Sequence, residues 1–166
     1  MFTMLKQDFA RLSVFQGLSE TQLELLDSMF ERVYYEPDEL IFEQGQPARY
    51  LYILVSGEVV IRYKPYDGPA LVVSHIQPGG VFGWSTVLSR RVYTSGAVAL
   101  QECNAFRISE VRLHDLCIQQ PETGSVLMEH LASAIAERRI THSPILNMLS
   151  SRMENEDCKR RITDDD

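Results

Sequence analysis

I-F-E-Q-G-Q-P-A-R-Y-L-Y-I-L-V-S-G-E-V, from Ile41 to Val59, is the stretch that decides the fold. Three short β-rich runs meet in it: Leu40-Ile41-Phe42, Tyr50 to Val55, and the start of Val59 to Tyr63. Turn residues part them, Gln44-Gly45-Gln46-Pro47 and then Ser56-Gly57, with Gly45 and Gly57 where tight hairpins need a positive φ. The same texture continues outward. Val33-Tyr34-Tyr35 precedes it, and Ala70–Ile76, Gly96–Ala99 and Asn104–Ile108 follow, separated by Glu36-Pro37-Asp38 and Tyr66-Asp67-Gly68-Pro69. About eight short strands at this spacing predict a sandwich or jelly-roll barrel rather than βαβ units.

Helices flank that β-region. Phe2, Leu5, Phe9 and Leu12 have helical spacing, so residues 2–16 predict a short amphipathic helix that Gly17-Leu18-Ser19 breaks. Ser19 followed by Gln22 is a capping-box start, and Leu23, Leu26 and Phe30 share one face of the next helix. Ser109 caps a short helix carrying Leu113, Leu116 and Cys117, ended near Pro121. A longer helix is predicted from about Gly124 to about Glu156, with Leu127, Leu131, Ala134 or Ile135, Ile145, and Met148 or Leu149 in a three-four alternation. Arg138, then Thr141 or His142, occupy the middle of that seam, and Pro144 should kink it. An exposed stripe of this kind is too apolar to leave in water, which predicts a homodimer through the helix. The alternative is that the stripe folds back on the β-layer. The tail packs opposite charges together, ends in three aspartates, and is expected to be disordered.

Composition sets the class. The chain has 166 residues, 45% hydrophobic and 23% charged, as ordinary globular proteins do. No apolar run reaches the roughly 18 residues of a membrane span, and no signal-peptide core opens the chain, so no membrane role is expected. Three distant cysteines, Cys103, Cys117 and Cys158, suit a reducing cytoplasm and no disulfide framework. No Cys or His spacing suggests a metal, and His75, His114 and His130 have no partner pattern. The net charge of −7 repels nucleic acid, and no basic face is segregated. No nucleophile–base pair or paired carboxylates stand out, so no catalytic residue is named and an enzyme is not expected.

The stretch that carries chemistry is G-G-V-F-G-W-S-T-V-L-S-R-R-V-Y-T-S-G-A-V-A, Gly79 to Ala99. A glycine turn leads to Phe82-Gly83, a helical turn is predicted from Trp84 to Leu88, a basic loop follows, and Ala97-Val98-Ala99 reads as a strand. Unpaired N–H groups at such a turn favour an anion. The layout resembles the phosphate-binding cassette of the cyclic nucleotide-binding domain family, which reads roughly F-G-E-x-x-x-L, a loop, then R-x-[AST]-x-V-x-A. Ile41–Val59 matches the family's I-x-x-x-G-x-x-x-x-x-[LMF]-[YF]-x-[IV]-x-x-G-x-[VL] almost throughout, and V-F-Q-G-L-S-x-x-Q-L-x-x-L is similar to its N-terminal entry. The resemblance covers roughly Leu12 to Arg139. It implies an α+β fold, a cyclic nucleotide-binding-like double-stranded β-helix (jelly roll) flanked by N-terminal helices and a long C-terminal helix. The chain then divides into helices over 1–32, a β-roll over 33–109 with the cassette at 79–99, C-terminal hinge and dimerisation helices over 110–156, and the tail over 157–166, all one domain.

Two departures from the family pattern bear on function. Trp84 stands where the family has the Glu that holds the ribose hydroxyl, and Tyr93 stands where it has the Arg that pairs with the cyclic phosphate. Tyr93 offers one neutral hydroxyl against five donors and a charge. Trp84 either anchors the core or fills the ribose site. Arg90 and Arg91 either swing toward an anion or stay solvated. Ser85, Thr86, Thr94 and Ser95 remain candidate donors, with Phe82 and Gly83 framing them. Thr141 and His142, with Arg138, either contribute a lid or mark a polar break in the seam. The resemblance implies a cytoplasmic regulatory or sensor module that couples a small anionic or nucleotide-like ligand to the C-terminal helix and a partner protein. Cyclic nucleotide binding is expected to be weak, and no other cofactor is expected. About ten residues after the long helix leave no room for a DNA-reading domain, so a DNA-binding role is not expected. The rival is a ligand-free scaffold for protein interaction and dimerisation.

Overall fold

The structure, a computed structural model, describes residues 11–87 and 91–140, the last five of these by their backbone. It contains eight strands: β1 Glu31–Tyr35, β2 Leu40–Phe42, β3 Tyr50–Ser56, β4 Val59–Tyr63, β5 Leu71–Ile76, β6 Val81–Phe82, β7 Gly96–Ala99 and β8 Cys103–Ser109. Among the described residues three α-helices join them, α1 Glu20–Met29, α2 Glu110–Gln119 and α3 Pro121–Ile140. The strands form two four-stranded antiparallel sheets, ordered β1-β8-β3-β6 and β2-β7-β4-β5. This is the jelly-roll arrangement expected from the spacing of the runs.

Strand β3 is the hinge between two cores, because side chains alternate across a strand. Its Leu51 and Ile53 pair with Ile108 and Phe106 of β8, and all four are buried on the outer face. That face packs against Leu26 and Phe30 of the first helical segment and against Leu113, Leu116, Leu127 and Leu131. Tyr52 and Leu54 point the other way, into the roll, where they meet Phe42, Val59, Ile61, Ala97 and Ala99 of the second sheet. Burying each large apolar side chain contributes roughly 1.5–3 kcal/mol, so both faces hold the sheet. Gly57 makes the β3–β4 turn at φ 94, where a Cβ would strike the Glu102 carbonyl and come within 2.7 Å of Cys103 Sγ.

The helix signals act as the local chemistry dictates. Ser19 Oγ accepts from the Gln22 N–H at 3.2 Å while Gln22 Oε1 accepts from the Ser19 N–H at 3.0 Å, completing the capping box. The same Gln22 donates from Nε2 to Thr123 Oγ1 at 3.1 Å, which ties α1 to the first turn of α3. Ser109 caps α2 through the Arg112 N–H at 3.2 Å. Helix α3 begins at Pro121, three residues before the expected start, since proline at a first helical position loses no needed N–H. Gly124 is instead a close-approach residue: a Cβ there would lie 2.9 Å from Cys117 Cα.

Several expectations are corrected. The helix expected over residues 2–16 does not run to its expected end: Arg11 is helical, a 3₁₀ turn follows at Ser13–Phe15, and residues 1–10 lie outside the described residues. Val81–Phe82, which the sequence assigned to no element, is a strand pairing with Ile53 and Tyr52. Leu127 and Leu131 form no exposed stripe. Both are fully buried in the chain's own helical core with Leu12, Val14 and Phe15, and His130 Nδ1 joins the Val14 carbonyl beside them at 2.7 Å. Ile135 is half-buried, while Thr141, His142, Pro144, Ile145 and Leu149 and the tail lie outside the described residues.

Candidate functional site

The cassette connects β6 to β7. Gly83 adopts the left-handed conformation, φ 74, where a Cβ would come within 3.0 Å of the Tyr50 carbonyl oxygen and 3.1 Å of Tyr52 Cδ2. Only glycine allows the chain to pass so close to β3. A 3₁₀ turn follows at Trp84–Thr86, shorter than the helical turn expected through Leu88. Thr86 Oγ1 shares its proton between the Gly83 carbonyl at 2.9 Å and the Tyr50 carbonyl at 3.1 Å. Its hydroxyl fastens the turn to β3 and is buried there.

Tyr93 returns to the same point from the other side. Its hydroxyl donates to the Tyr50 carbonyl at 2.7 Å and accepts from the Tyr50 N–H at 3.1 Å. Its ring lies on Phe42 with centroids 3.8 Å apart and planes 15° from parallel. Burial pushes its pKa up to about 12, the Tyr50 backbone bond opposing the rise, so the hydroxyl stays neutral across the physiological range. The neutral bond that Tyr93 was expected to offer a ligand is therefore already given to the backbone.

What remains is a hollow of about 240 Å³, counting its open mouth, lined by Phe42, Ile61, Gly83, Trp84, Ser85, Tyr93, Thr94 and Ser95. The part of it that can hold the centre of a water molecule is about 10 Å³, room for about one water. Six of the residues expected at the site are gathered here: Gly83, Trp84, Ser85, Tyr93, Thr94 and Ser95. Phe82 is not among them, because its fully buried ring stacks on Tyr52 at 5.0 Å inside the roll. Thr86 is absent for the reason given above. Arg91 is exposed, and its carbonyl accepts from the Ala48 N–H at 3.0 Å. Arg90 lies outside the described residues, as do Thr141, His142 and the side chain of Arg138. Phe42 and Ile61 were missed. Each reads as an ordinary strand residue, and only pairing of the second sheet brings both to the cassette.

Among the described residues, none that lines the hollow carries a formal charge. Arg107, the described cation beside Tyr50, is held elsewhere: its Cζ sits 4.1 Å from the Tyr50 ring centroid and its Nε donates to Glu31 Oε2 at 2.9 Å. Among the described residues no group of His, Cys, Asp and Glu is placed to hold a metal, and no helix is long and apolar enough to cross a membrane.

Comparison with known proteins places this geometry. A family model described as the cyclic nucleotide-binding domain matches residues 32–120. A CRP-like cAMP-activated global transcriptional regulator of Mycobacterium tuberculosis is 27% identical over 123 residues, 74% of this chain and 55% of that protein. The chain thus spans about half the length of the curated relatives it matches first. A cyclic nucleotide-binding protein structure from Geobacter metallireducens superposes with a TM-score of 0.70 at 25% identity, over 81% of this chain and 97% of that one. The regulatory subunit of a cAMP-independent protein kinase A from Trypanosoma cruzi, bound to guanosine, shares the fold with a TM-score of 0.61 at 21% identity, over 72% of this chain and 41% of that one.

Proposed function

The chain belongs to the cyclic nucleotide-binding domain family, and from that premise we propose that it is a regulatory module whose cassette no longer answers to cyclic nucleotides. One observation carries the reading: the hydroxyl of Tyr93, at the position where the family pattern has arginine, is spent on the Tyr50 backbone. A cyclic phosphate leaving water needs replacement charge and hydrogen bonds, or the transfer costs several kcal/mol. A bidentate arginine returns roughly 1.5–3 kcal/mol per charge-assisted bond. Tyr93 returns nothing, and Trp84 removes the carboxylate that would take the ribose.

The side-chain bonds of Tyr93 and Thr86 do what a bound ligand does in a sensor: they fix the cassette against β3 from within. Output then runs through α2 and α3, packed on the far face of the same strand, to a protein partner. Assembly into a homodimer through α3 belongs to the same proposal, with Ile135 and not Leu127 or Leu131 at the contact. The Trypanosoma cruzi neighbour, described as cAMP-independent, supports a regulatory domain of this fold that works without cyclic AMP.

Calorimetry with cyclic AMP and cyclic GMP tests the reading. Neither should bind in the sub-micromolar range, and the double substitution Trp84→Glu, Tyr93→Arg should strengthen binding by roughly tenfold to a few hundredfold, about 1.4 kcal/mol being one decade. Sub-micromolar binding by the unmodified protein overturns it.

A further inference from the structure

The two sheets are not covered alike. The helical core takes its strand residues from β3, β6 and β8, all in the first sheet. In the second sheet Val59, Ile61, Ala97 and Ala99 fill the roll, so Val60 and Val98 between them point outward, and neither belongs to either core. Strand register sets a row across that outer face: Leu40 opposite Val98, Val98 opposite Val60, and Val60 opposite His75. The ladder runs one step further, the Leu100 N–H donating to the Glu58 carbonyl at 2.9 Å, and the alternation turns Leu100 outward as well. Val72 pairs with Arg62 on the other side of the row. Leu40, Val72 and Leu100 are 48%, 43% and 44% exposed. A sheet face turned to water ordinarily carries polar side chains at such positions. An aliphatic face in their place marks a surface that meets another protein.

The residues on either side of the row identify that protein. Along one strand Glu58 and Arg62 stand two residues before and after Val60, and along the next Gly96 and Leu100 stand two residues before and after Val98. Turn a second copy by half a revolution about an axis lying along the row, and Val60 meets Val60 and Val98 meets Val98. The same rotation brings Glu58 of each copy onto Arg62 of the other, and Leu100 onto Gly96. Arg62 is exposed, and among the described residues no carboxylate pairs with it. Glu58 engages His75 Nδ1 at 2.9 Å and Gln77 Nε2 at 3.1 Å, both through Oε1, which leaves Oε2 for a cation. Gly96 presents no side chain to the face, and a Cβ there would meet only backbone of its own sheet, the Phe42 carbonyl oxygen being nearest at 3.4 Å. The face is therefore low where Leu100 of a second copy would enter. Opposite charges on one strand and a projection with its gap on the next make this surface complementary to itself.

We propose that two copies of the chain pack the outer faces of β2-β7-β4-β5 together about this two-fold axis, as aligned sheets about 10 Å apart. The contact is separate from the one assigned to α3. The four-stranded face outlines roughly 300 Å², and a standard interface takes about 800 Å² from each partner, so the dissociation constant should be on the order of 10–100 μM. Light scattering on the full chain at a concentration on the order of 100 μM tests the proposal. Leu100→Glu, at an exposed position outside both cores, should halve the apparent mass, whether or not copies also join through α3. Glu58→Arg and Arg62→Glu should each weaken association roughly tenfold by setting like charges opposite one another, and the two together should restore it. Each variant should unfold near the midpoint of the parent, since none of the three positions belongs to a core. Ile135→Glu, directed at α3, should leave this association in place. An unmodified chain that stays monomeric at that concentration overturns the inference, as does a mass that Leu100→Glu leaves unchanged. Failure of the double charge reversal to restore association removes the two-fold geometry and the proposal with it. Association lost in Ile135→Glu and kept in Leu100→Glu assigns the dimer to α3 alone, overturning this contact while that reading stands.

Discussion

The outer and inner faces of the sheet β1-β8-β3-β6 are built from different chemistry. On the outer face Leu51, Ile53, Phe106 and Ile108 meet leucines from the helices. On the inner face Tyr52, Phe82, Phe42 and Tyr93 pack as rings whose hydroxyls and neighbours carry hydrogen bonds. The aliphatic face is defined by volume and tolerates any side chain that fills it. The aromatic face is defined by direction: the Tyr93 ring has one orientation that satisfies its hydroxyl. A family can therefore keep the first unchanged while the second is rewritten to accept or refuse a ligand.

The sharpest contrast comes from emptying the outer face. Phe106 is fully buried beneath the helices, so Phe106→Ala should cost about 3–5 kcal/mol in denaturant unfolding. A loss below about 1 kcal/mol would show that the helical layer closes over the gap and is not the main support of the sheet.

Next in size is Tyr93→Phe, which keeps the ring and deletes one oxygen. The Tyr50 carbonyl retains Thr86 Oγ1, but the Tyr50 N–H loses its side-chain acceptor. Leaving a buried donor unpaired costs roughly 1–3 kcal/mol, and the unfolding midpoint should fall accordingly. If stability is unchanged, the hydroxyl is not the clasp that holds the cassette to β3.

The two faces also differ in how far the sequence disclosed them. Strands, turns and caps were legible because their causes are local: Gly57 between two apolar runs, Ser19 three residues before Gln22, Ser109 before Glu110. Leu40–Phe42, Val59–Tyr63 and Gly96–Ala99 fall where the periodicity puts them. Val81–Phe82 was not legible as a strand, since two residues between glycines carry no period and only β3 defines them. The cassette residues Trp84 and Tyr93 stood out by departing from a family pattern. The direction of the Tyr93 hydroxyl did not, because its partner lies 43 positions away. Phe42 and Ile61 were hidden for the same reason. Leu127 and Leu131 show the converse error: a helical stripe states that one face is buried, not which surface buries it.

Alkaline titration separates the faces by a smaller effect. Burial raises the pKa of Tyr93 from 10.0 to about 12, the folded state holding its proton longer than the unfolded chain. Between those values the unfolded state binds fewer protons, so stability is fully present below about pH 10 and is lost as pH rises toward 12. Burial also raises Tyr35 and Tyr52, so the inner face as a whole weakens in this window. Tyr93→Phe should make the decline of the unfolding midpoint with pH shallower. An unaltered slope would assign the alkaline loss to Tyr35 and Tyr52 alone.

The smallest expected effect is the most informative about use. Ser85 is as buried as many core residues, and a buried hydroxyl with good bonds would cost about 1 kcal/mol or more to remove. Its bonds are long, 3.4 and 3.5 Å, and their loss leaves Thr94 no worse partnered than a neighbouring water can repair at the open mouth. Ser85→Ala should therefore change stability by less than about 0.5 kcal/mol, in the range of an ordinary surface change. On the outer face no substitution at comparable burial should be so cheap. Chemical denaturation of Ser85→Ala beside Leu51→Ala makes the comparison directly: a large loss at Leu51 and almost none at Ser85 marks the cassette hydroxyl as a group the fold does not need. A loss above about 1 kcal/mol at Ser85 would mean that the Ser85–Thr94 contact is a structural bridge, tighter in solution than 3.4 Å.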